Sequence, residues 1–233
     1  MTDIPYRTAL IVGAGAGISA ALARRLAAAG LKIGLAARNA DKLAPLAAEV
    51  GAEAFAVDAS EPAAVARLFE EADSRLGEPD VVIFNASARV QGPIIELDPE
   101  AVRRTIAVSA YGGFLVVQQA ARRMTAHGRG AILLTGASAS VKGFPLSAPF
   151  AMGKFALRGL AQSAARELGP KGVHVAHFVI DGGVRSAMRP DPVERPDSML
   201  DPDGIAQTYL DVLRQPRSAW SLEVELRPWV ERF

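Results

Sequence analysis

The stretch TALIVGAGAGISAALARRLAAAG, residues 8–30, joins a short apolar run to a longer helical pattern through a turn that carries Gly13, Gly15 and Gly17. The apolar run reads as a buried strand, and the pattern after it as a helix stopped by Gly30. Glycines at such a junction permit a tight turn. They also let backbone N–H groups approach a pyrophosphate at the positive end of the helix. The dinucleotide pattern G-x-G-x-x-G would need glycine at position 18, where Ile18 stands, so that spacing fails. A tight strand-to-helix turn without a ligand is the competing reading.

The rhythm of residues 8–30 repeats outward. KIGLAAR, ADKLAPLAAEVG and AEAFAVD follow, then EPAAVARLFEEADSRLG, DVVIFNA, a long helix over 99–125 and AILLTG. A helix over 149–168, VHVAHFVI, a helix over 203–214 and SLEVEL complete the chain. This alternation predicts an α/β fold, Rossmann-like and doubly wound, with a mainly parallel sheet flanked by helices. Ser60 is expected as an N-cap with Pro62 just inside, and Gly30, Gly77, Gly128 and Gly169 as helix stops. No linker or repeat divides the elements, so residues 1–233 are expected to form one domain. The exception to the rhythm is RSAMRPDPVERPDSMLDPD, 185–203, whose prolines and charges forbid regular structure. It follows the carboxyl end of a strand and is expected to act as a lid over a crevice.

Lys plus Arg number 26 against 25 Asp plus Glu, so no global field favours nucleic acid or an anionic membrane. The absence of cysteine removes disulfides and thiolate zinc sites, and His127, His174 and His177 have no metal-ligand spacing with carboxylates. No metal is expected. His127 is expected at the surface, at the end of the sheet away from a ligand crevice, and His174 and His177 as satisfied core histidines. The N-terminus lacks a basic region followed by a purely apolar run, and glycines with Arg24 and Arg25 interrupt the Ala-rich stretch, so a soluble cytoplasmic protein is expected.

The glycine spacing resembles the G-x-x-x-G-x-G loop of short-chain dehydrogenases/reductases, with Gly13 and Gly17 matching and Ser19 in place of the last glycine. FNASA matches that family's N-N-A-G segment at Asn85 and Ala86, with Ser87 replacing glycine, and VDA matches its acidic residue at Asp58. The resemblance continues through GRGAILLTGAS and ARELGPKGVHVAHFVIDGG to the last strand. It implies one NAD(P)-binding Rossmann-fold domain acting on a small carbonyl or alcohol, and a homodimer or homotetramer. The cofactor contacts it implies are Gly13, Gly15, Gly17, Ile18, Arg38, Asp58, Asn85, Ala86, Ser87, Lys154, Gly183 and Val184. Ala37 stands where NAD-preferring members carry an Asp, and Arg38 follows it. A guanidinium can bind a 2′-phosphate that a carboxylate would repel, which favours NADP(H).

The same resemblance assigns the active site to a Tyr-x-x-x-Lys pair, a serine and an asparagine. Lys154 matches the lysine, but Phe150 occupies the tyrosine position, Ala137 the serine position and Ser109 the asparagine position. Ser138 stands one residue past the serine position, and the usual Pro-Gly is Asp181-Gly182. The chain resembles a divergent group of the family that combines phenylalanine with a retained lysine. Lys154, with Ser138, is the expected catalytic remnant. Lys154 could instead snorkel to water, Ser138, Ser140 and Ser147 could be capping or loop-bonding hydroxyls, and Tyr111 points elsewhere on its helix. Two functional expectations stand: an NADP(H)-dependent oxidoreductase with altered proton transfer, or a nucleotide-binding sensor or assembly protein without turnover.

Overall fold

Val, Ile, Leu and Ala fill the short apolar runs, and a strand that is apolar on both sides must be covered on both faces. The computed structural model, which describes residues 4–231, places these runs as β1 (Thr8–Val12), β2 (Lys32–Ala37), β3 (Glu53–Ala56), β4 (Val81–Phe84), β5 (Gly130–Thr135), β6 (Val173–Ile180) and β7 (Glu223–Leu226). They form a seven-stranded sheet in the order β3-β2-β1-β4-β5-β6-β7. Every neighbouring pair is parallel, so the mainly parallel expectation becomes a wholly parallel sheet.

Helices α1 (Ile18–Ala28), α2 (Ala44–Val50) and α7 (Pro202–Leu213) cover one face, where Ile11, Leu22, Leu26, Ile83, Phe178 and Tyr209 pack together. On the other face lie α3 (Pro62–Arg75), α5 (Gly112–His127) and α6 (Ala148–Leu168), over Leu10, Phe69, Phe84, Val116 and Leu157. Phe178 and Tyr209 stack at 3.5 Å between centroids, and the Tyr209 hydroxyl meets Thr135 Oγ1 at 2.9 Å, so the buried phenol keeps a polar partner.

Local departures from the sequence reading have identifiable causes. The long helix over 99–125 runs instead from α4 (Pro99–Ile106) through a π-helical turn, Ala107–Tyr111, into α5. Such a turn inserts a residue into the helical ladder and frequently marks a functional site. Glu61, not Ser60, is the N-cap of α3, because Ser60 donates its hydroxyl and its N–H to Asp58 Oδ1 at 2.6 and 3.0 Å. Gly169 does not stop α6. It stays right-handed and opens a 3-10 turn, Gly169–Lys171, which ends at Gly172 with φ of +84°. Gly30, Gly77 and Gly128 do follow their helices with positive φ.

Helix α6 presses on the π-helical turn. A Cβ built on Gly153 would lie 2.8 Å from Ser109 Cβ, closer than two carbon atoms can approach. Gly153→Ala is therefore expected to lower stability by about 1–3 kcal/mol, despite the roughly 1 kcal/mol gain in helix propensity. Adding Ser109→Gly should recover part of that loss. Chemical denaturation of the two single variants and the double variant measures the coupling.

Candidate cofactor and active site

Strand order reverses beside β1: the chain leaves β1 toward the α1 face and leaves β4 toward the α5 face, which opens a crevice between the two exits. The turns that line it touch. Gly13 has φ of +89°, and a Cβ there would sit 2.2 Å from Ala86 N. The Gly13 and Ala14 N–H groups both donate to Ala36 O at 2.9 Å, and the Asn85 N–H donates to Val12 O at 2.8 Å. Ser19, at the position where the family loop ends in glycine, joins the two turns. Its hydroxyl donates to Gly13 O at 3.1 Å and accepts from Asn85 Nδ2 at 2.7 Å. Serine thus replaces that glycine without opening the turn. The sequence offered no sign of this tether.

Gly15 and Gly17 behave differently. A Cβ on either would meet no protein atom within 4 Å, so the fold itself does not exclude side chains there. Helix α1 begins at Ile18 with Gly17 as its N-cap, no capping side chain and no acidic residue in the first turn. Its orphan N–H groups and the positive end of its dipole therefore face open space beside the crevice. A space of about 370 Å³ runs from Ala16 and Gly17 to Arg185, Ser186 and Asp201. These features fit the pyrophosphate of a dinucleotide. A cavity of similar volume, lined by Glu78, Asp80, Arg123 and His127, opens at the opposite edge of the sheet and takes no part in the crevice.

Arg38 and Asn39 are exposed just beyond β2, and Asp58 just beyond β3. The hydrogen bonds from Ser60 hold the Asp58 carboxyl below its ordinary pKa, and the nearby Arg38 charge adds to this. Arg38 forms no ion pair within 4 Å among the described residues, so its donors are open to an anion at the crevice edge.

Helix α6 carries Phe150 and Lys154 on one side, one turn apart. Lys154 does not snorkel. It is 3% exposed, and its ammonium donates to Thr135 O, at the carboxyl end of β5, at 2.7 Å. Burial lowers its pKa from 10.5 to about 8. The ammonium lies 5.8 Å from the centroid of the Phe150 ring, and Arg89 Cζ lies 5.0 Å from the same centroid.

The hydroxyls near the site divide by role. Ser109 is fully buried in the π-helical turn, and its Oγ accepts the Ala88 N–H at 3.1 Å, fixing the loop that carries Ser87 and Arg89. Ser140 Oγ accepts the Ala137 N–H at 3.1 Å and is also fully buried, so it serves the turn. Ser138 is half-buried, with no side-chain hydrogen bond to protein among the described residues. Ser147 is buried at the N-cap of α6 without a side-chain capping bond. Tyr111 faces away from the crevice and stacks on Phe114.

The histidines are peripheral or constrained. His127 is exposed and meets Glu78 at 2.7 Å. His174 is satisfied: Nε2 lies 2.8 Å from Ser221 O and the ring stacks on Trp220. His177 corrects the satisfied-core reading, since neither ring nitrogen has a hydrogen bond among the described residues. Its Nδ1 lies 3.4 Å from Glu223 Oε2, an ion-pair contact rather than a well-formed hydrogen bond, because Glu223 already takes a bidentate grip from Arg158. Burial drives the pKa of His177 down and keeps it neutral.

Asp181, in place of the usual proline, is 1% exposed, with Lys142 Nζ 3.2 Å and Arg227 Nη2 3.3 Å from its carboxylate. Lys142 ties the loop after β5, and Arg227 the end of β7, to Asp181 at the end of β6. Gly183 and Val184 follow at the crevice, where Val184 bridges to Leu200 and the Arg189 guanidinium would lie 3.1 Å from a Cβ on Gly183. The 185–203 segment has no helix or strand before α7 begins at Pro202. Arg185 pins it through Asp191 and Asp201.

A parallel doubly wound sheet with a glycine turn and an uncapped helix at its switch point is a dinucleotide-binding architecture. The family profile for short chain dehydrogenase matches residues 7–196. The chain is 37% identical to a short-chain dehydrogenase from Rhodopseudomonas palustris, with a TM-score of 0.81 over 96% of this chain and 99% of that one. It is 29% identical to a metagenomic short-chain oxidoreductase solved with NADP, with a TM-score of 0.84 over 96% and 98% of the two chains. L-2,3-butanediol dehydrogenase of Corynebacterium glutamicum is 31% identical over 191 residues, 78% of this chain and 73% of that protein. The chain belongs to the short-chain dehydrogenase/reductase family, whose oxidoreductases use NAD(P)(H) and act on small molecules. Among the described residues, no helix is long and apolar enough to cross a membrane, and no cluster of metal-binding side chains occurs.

The buried ammonium sets a pH dependence. Its folded pKa, about 8, lies below the unfolded value of 10.5, so the unfolded chain binds the extra proton between them and stability should rise from about pH 8 to 10.5. Below pH 8 the full burial cost is present, at most about 3 kcal/mol. Lys154→Met is expected to raise the melting temperature at pH 7 and to flatten the rise above pH 8. Thermal denaturation of both proteins between pH 6.5 and about 10 measures this.

Proposed function

We propose that the protein is an atypical NADP(H)-binding short-chain dehydrogenase/reductase that acts on a carbonyl or alcohol with a rewritten proton-transfer half. One observation carries the reading: Lys154 stays buried on the Thr135 carbonyl while Phe150, one turn before it, has no proton to give. The open first turn of α1, with Gly13, Gly15, Gly17 and Ile18, would hold the pyrophosphate. Asn85, Ala86 and Ser87 would line the crevice from β4, Gly183 and Val184 from β6, and Asp58 the adenine side. Arg38 would take the 2′-phosphate. Lys154 has further N–H donors beyond the one given to Thr135 O, and these would hold the nicotinamide ribose.

When bound, the reduced cofactor supplies a hydride to a carbonyl carbon. The protein's task is then to orient the substrate, exclude water and deliver a proton to the oxygen. Phe150 offers an apolar wall. Ser138 and Ser147 are the hydroxyls near the site without a side-chain hydrogen bond among the described residues, and Ser138, the less buried of the two, or water would supply the proton. General acid–base assistance is worth about 10²–10⁴-fold, so its weakening slows turnover without abolishing it. The chain is read as one domain, with 185–203 as a lid. The exposed Tyr111, Phe114, Met152 and Phe155 on α5, α6 and the turn before α5 support a homodimer or homotetramer.

The alternative is a nucleotide-binding sensor or assembly protein. It draws on the same positions: Ala137 has no hydroxyl, Phe150 has none, and Ser109 gives its oxygen to Ala88 N–H.

Fluorescence titration should show NADPH binding more tightly than NADH, with Arg38→Asp erasing or reversing the preference. Equal affinities in the parent would overturn the NADP(H) assignment. Phe150→Tyr should speed carbonyl reduction, because a phenol beside an ammonium acquires a lowered pKa, and adding Ala137→Ser should increase the gain. If both variants bind NADPH and neither gains on a panel of carbonyls, the binding-protein reading replaces the reductase.

A further inference from the structure

We infer that the site takes a carbonyl or alcohol substrate bearing a carboxylate, and that Arg89, held across the Phe150 ring, is the group that binds that carboxylate. The inference rests on the oxidoreductase reading for the carbonyl, and on the geometry of Arg89 alone for the anion. Arg89 lies on the loop after β4, four residues past Asn85 and beside the crevice.

Arg89 is exposed, and the loop that carries it is held at two backbone points while its side chain meets one ring. Ser109 Oγ takes the N–H of the preceding residue, Ala88, at 3.1 Å. Gly92 N–H donates to Leu146 O at 3.0 Å and ties this loop to the one before α6, where Leu146 holds φ of +63°. The guanidinium itself rests 5.0 Å from the Phe150 centroid. The positive φ of Leu146 falls in the turn closed by the Ser147 N–H on Phe144 O, and this turn presents Leu146 O to Gly92.

The electrostatics then point to a ligand. Several arginines that bridge neighbouring elements end on carboxylates: Arg24 on Glu49, Arg123 on Asp73, Arg158 on Glu223. Arg89 has an aromatic face in place of an acid, and no carboxylate lies within ion-pair distance of it among the described residues. A ring orients a guanidinium without neutralising it or occupying its N–H fork. The second charge near the ring, the Lys154 ammonium, is also cationic, while the buried acid of the site, Asp181, is already paired with Lys142 and Arg227. The field over Phe150 is positive, with a planar pair of donors at its edge, which suits a carboxylate. The cofactor's phosphates belong at the α1 terminus and at Arg38, on other parts of the crevice. The Phe150 ring thus serves as the rest for the Arg89 guanidinium.

Ligand-observed NMR titration tests this with benzoylformate, its methyl ester and phenacyl phosphate, each against the protein alone and with NADP+ present. Benzoylformate should bind at least about tenfold more tightly than the ester. Arg89→Gln should remove that difference, Arg89→Lys should keep part of it, and Arg67→Gln, a charge change on the far surface of α3, should leave it intact. Equal binding of acid and ester, or a preference that survives Arg89→Gln, overturns the proposal. Tight binding of phenacyl phosphate alone overturns the carboxylate assignment. Circular dichroism of Arg89→Gln checks that the variant is folded. Failure of NADPH to bind would count against the proposed function, whereas loss of the acid preference in the protein alone would count against Arg89, so the two failures are distinguishable.

Discussion

The crevice depends on one close approach, the backbone of Gly13 against that of Asn85 and Ala86. Two parallel strands leave their sheet toward opposite faces, and their exits can be stacked only if neither turn carries a side chain into the other. A Cβ at Gly13 would overlap Ala86 N at 2.2 Å, so the constraint is steric and absolute. Its consequences are geometric. Asn85 reaches Val12 O and Ser19, Ser19 reaches back to Gly13 O, and the first turn of α1 is left without a capping side chain, with the Ile18 and Ser19 N–H groups unpaired among the described residues. The proposed cofactor side of the site thus follows from how the two turns meet at the switch point of the sheet, apart from the groups around Phe150.

The chemistry around Phe150 is governed by a different balance. An ammonium buried to 3% exposure, with one strong hydrogen bond and an aromatic face nearby, is held in its charged form only weakly. A phenol in place of Phe150 would share a proton with that ammonium and ease its burial. Phenylalanine cannot, so Lys154 relies on the Thr135 carbonyl and on whatever polar group a ligand brings to its remaining donors. Ligand binding and relief of that burial cost are therefore coupled through a single side chain.

The architecture was legible in the sequence because hydrophobic periodicity records burial: every strand named from an apolar run exists, and the helices lie where their patterns place them. What the sequence could not show is where geometry departs from periodicity. The π-helical turn at Ala107–Tyr111 carries no composition signal, and it lies where Gly153 of α6 packs closely on Ser109, a contact between distant parts of the chain. The α3 cap moved from Ser60 to Glu61 because Asp58 competed for the serine, a three-residue local contest that a cap preference alone does not resolve. Lys154, Phe150 and the glycine turn could be placed from motif spacing. Arg89, the Ser19 tether and the Asp181 ion cluster could not, since each depends on residues brought together from distant parts of the chain.

The hydroxyls around the crevice have taken up structural duties. Ser19, Ser109 and Ser140 each sit where a family motif or a turn would suggest chemistry, yet each gives its oxygen to the protein's own backbone or amides at 2.7 to 3.1 Å. Lone pairs committed in this way hold turns and loops, and reorienting any of these side chains to meet a substrate would leave a buried partner unsatisfied. These hydroxyls act as supports: Ser109 for the loop of Arg89, Ser140 for the turn at Ala137, Ser19 for the two crevice turns. On the proposed reading, selectivity at such a site rests on charge and shape at the Phe150 ring, where the Arg89 guanidinium lies 5.0 Å from the ring centroid, while the missing phenol limits only the rate of proton transfer.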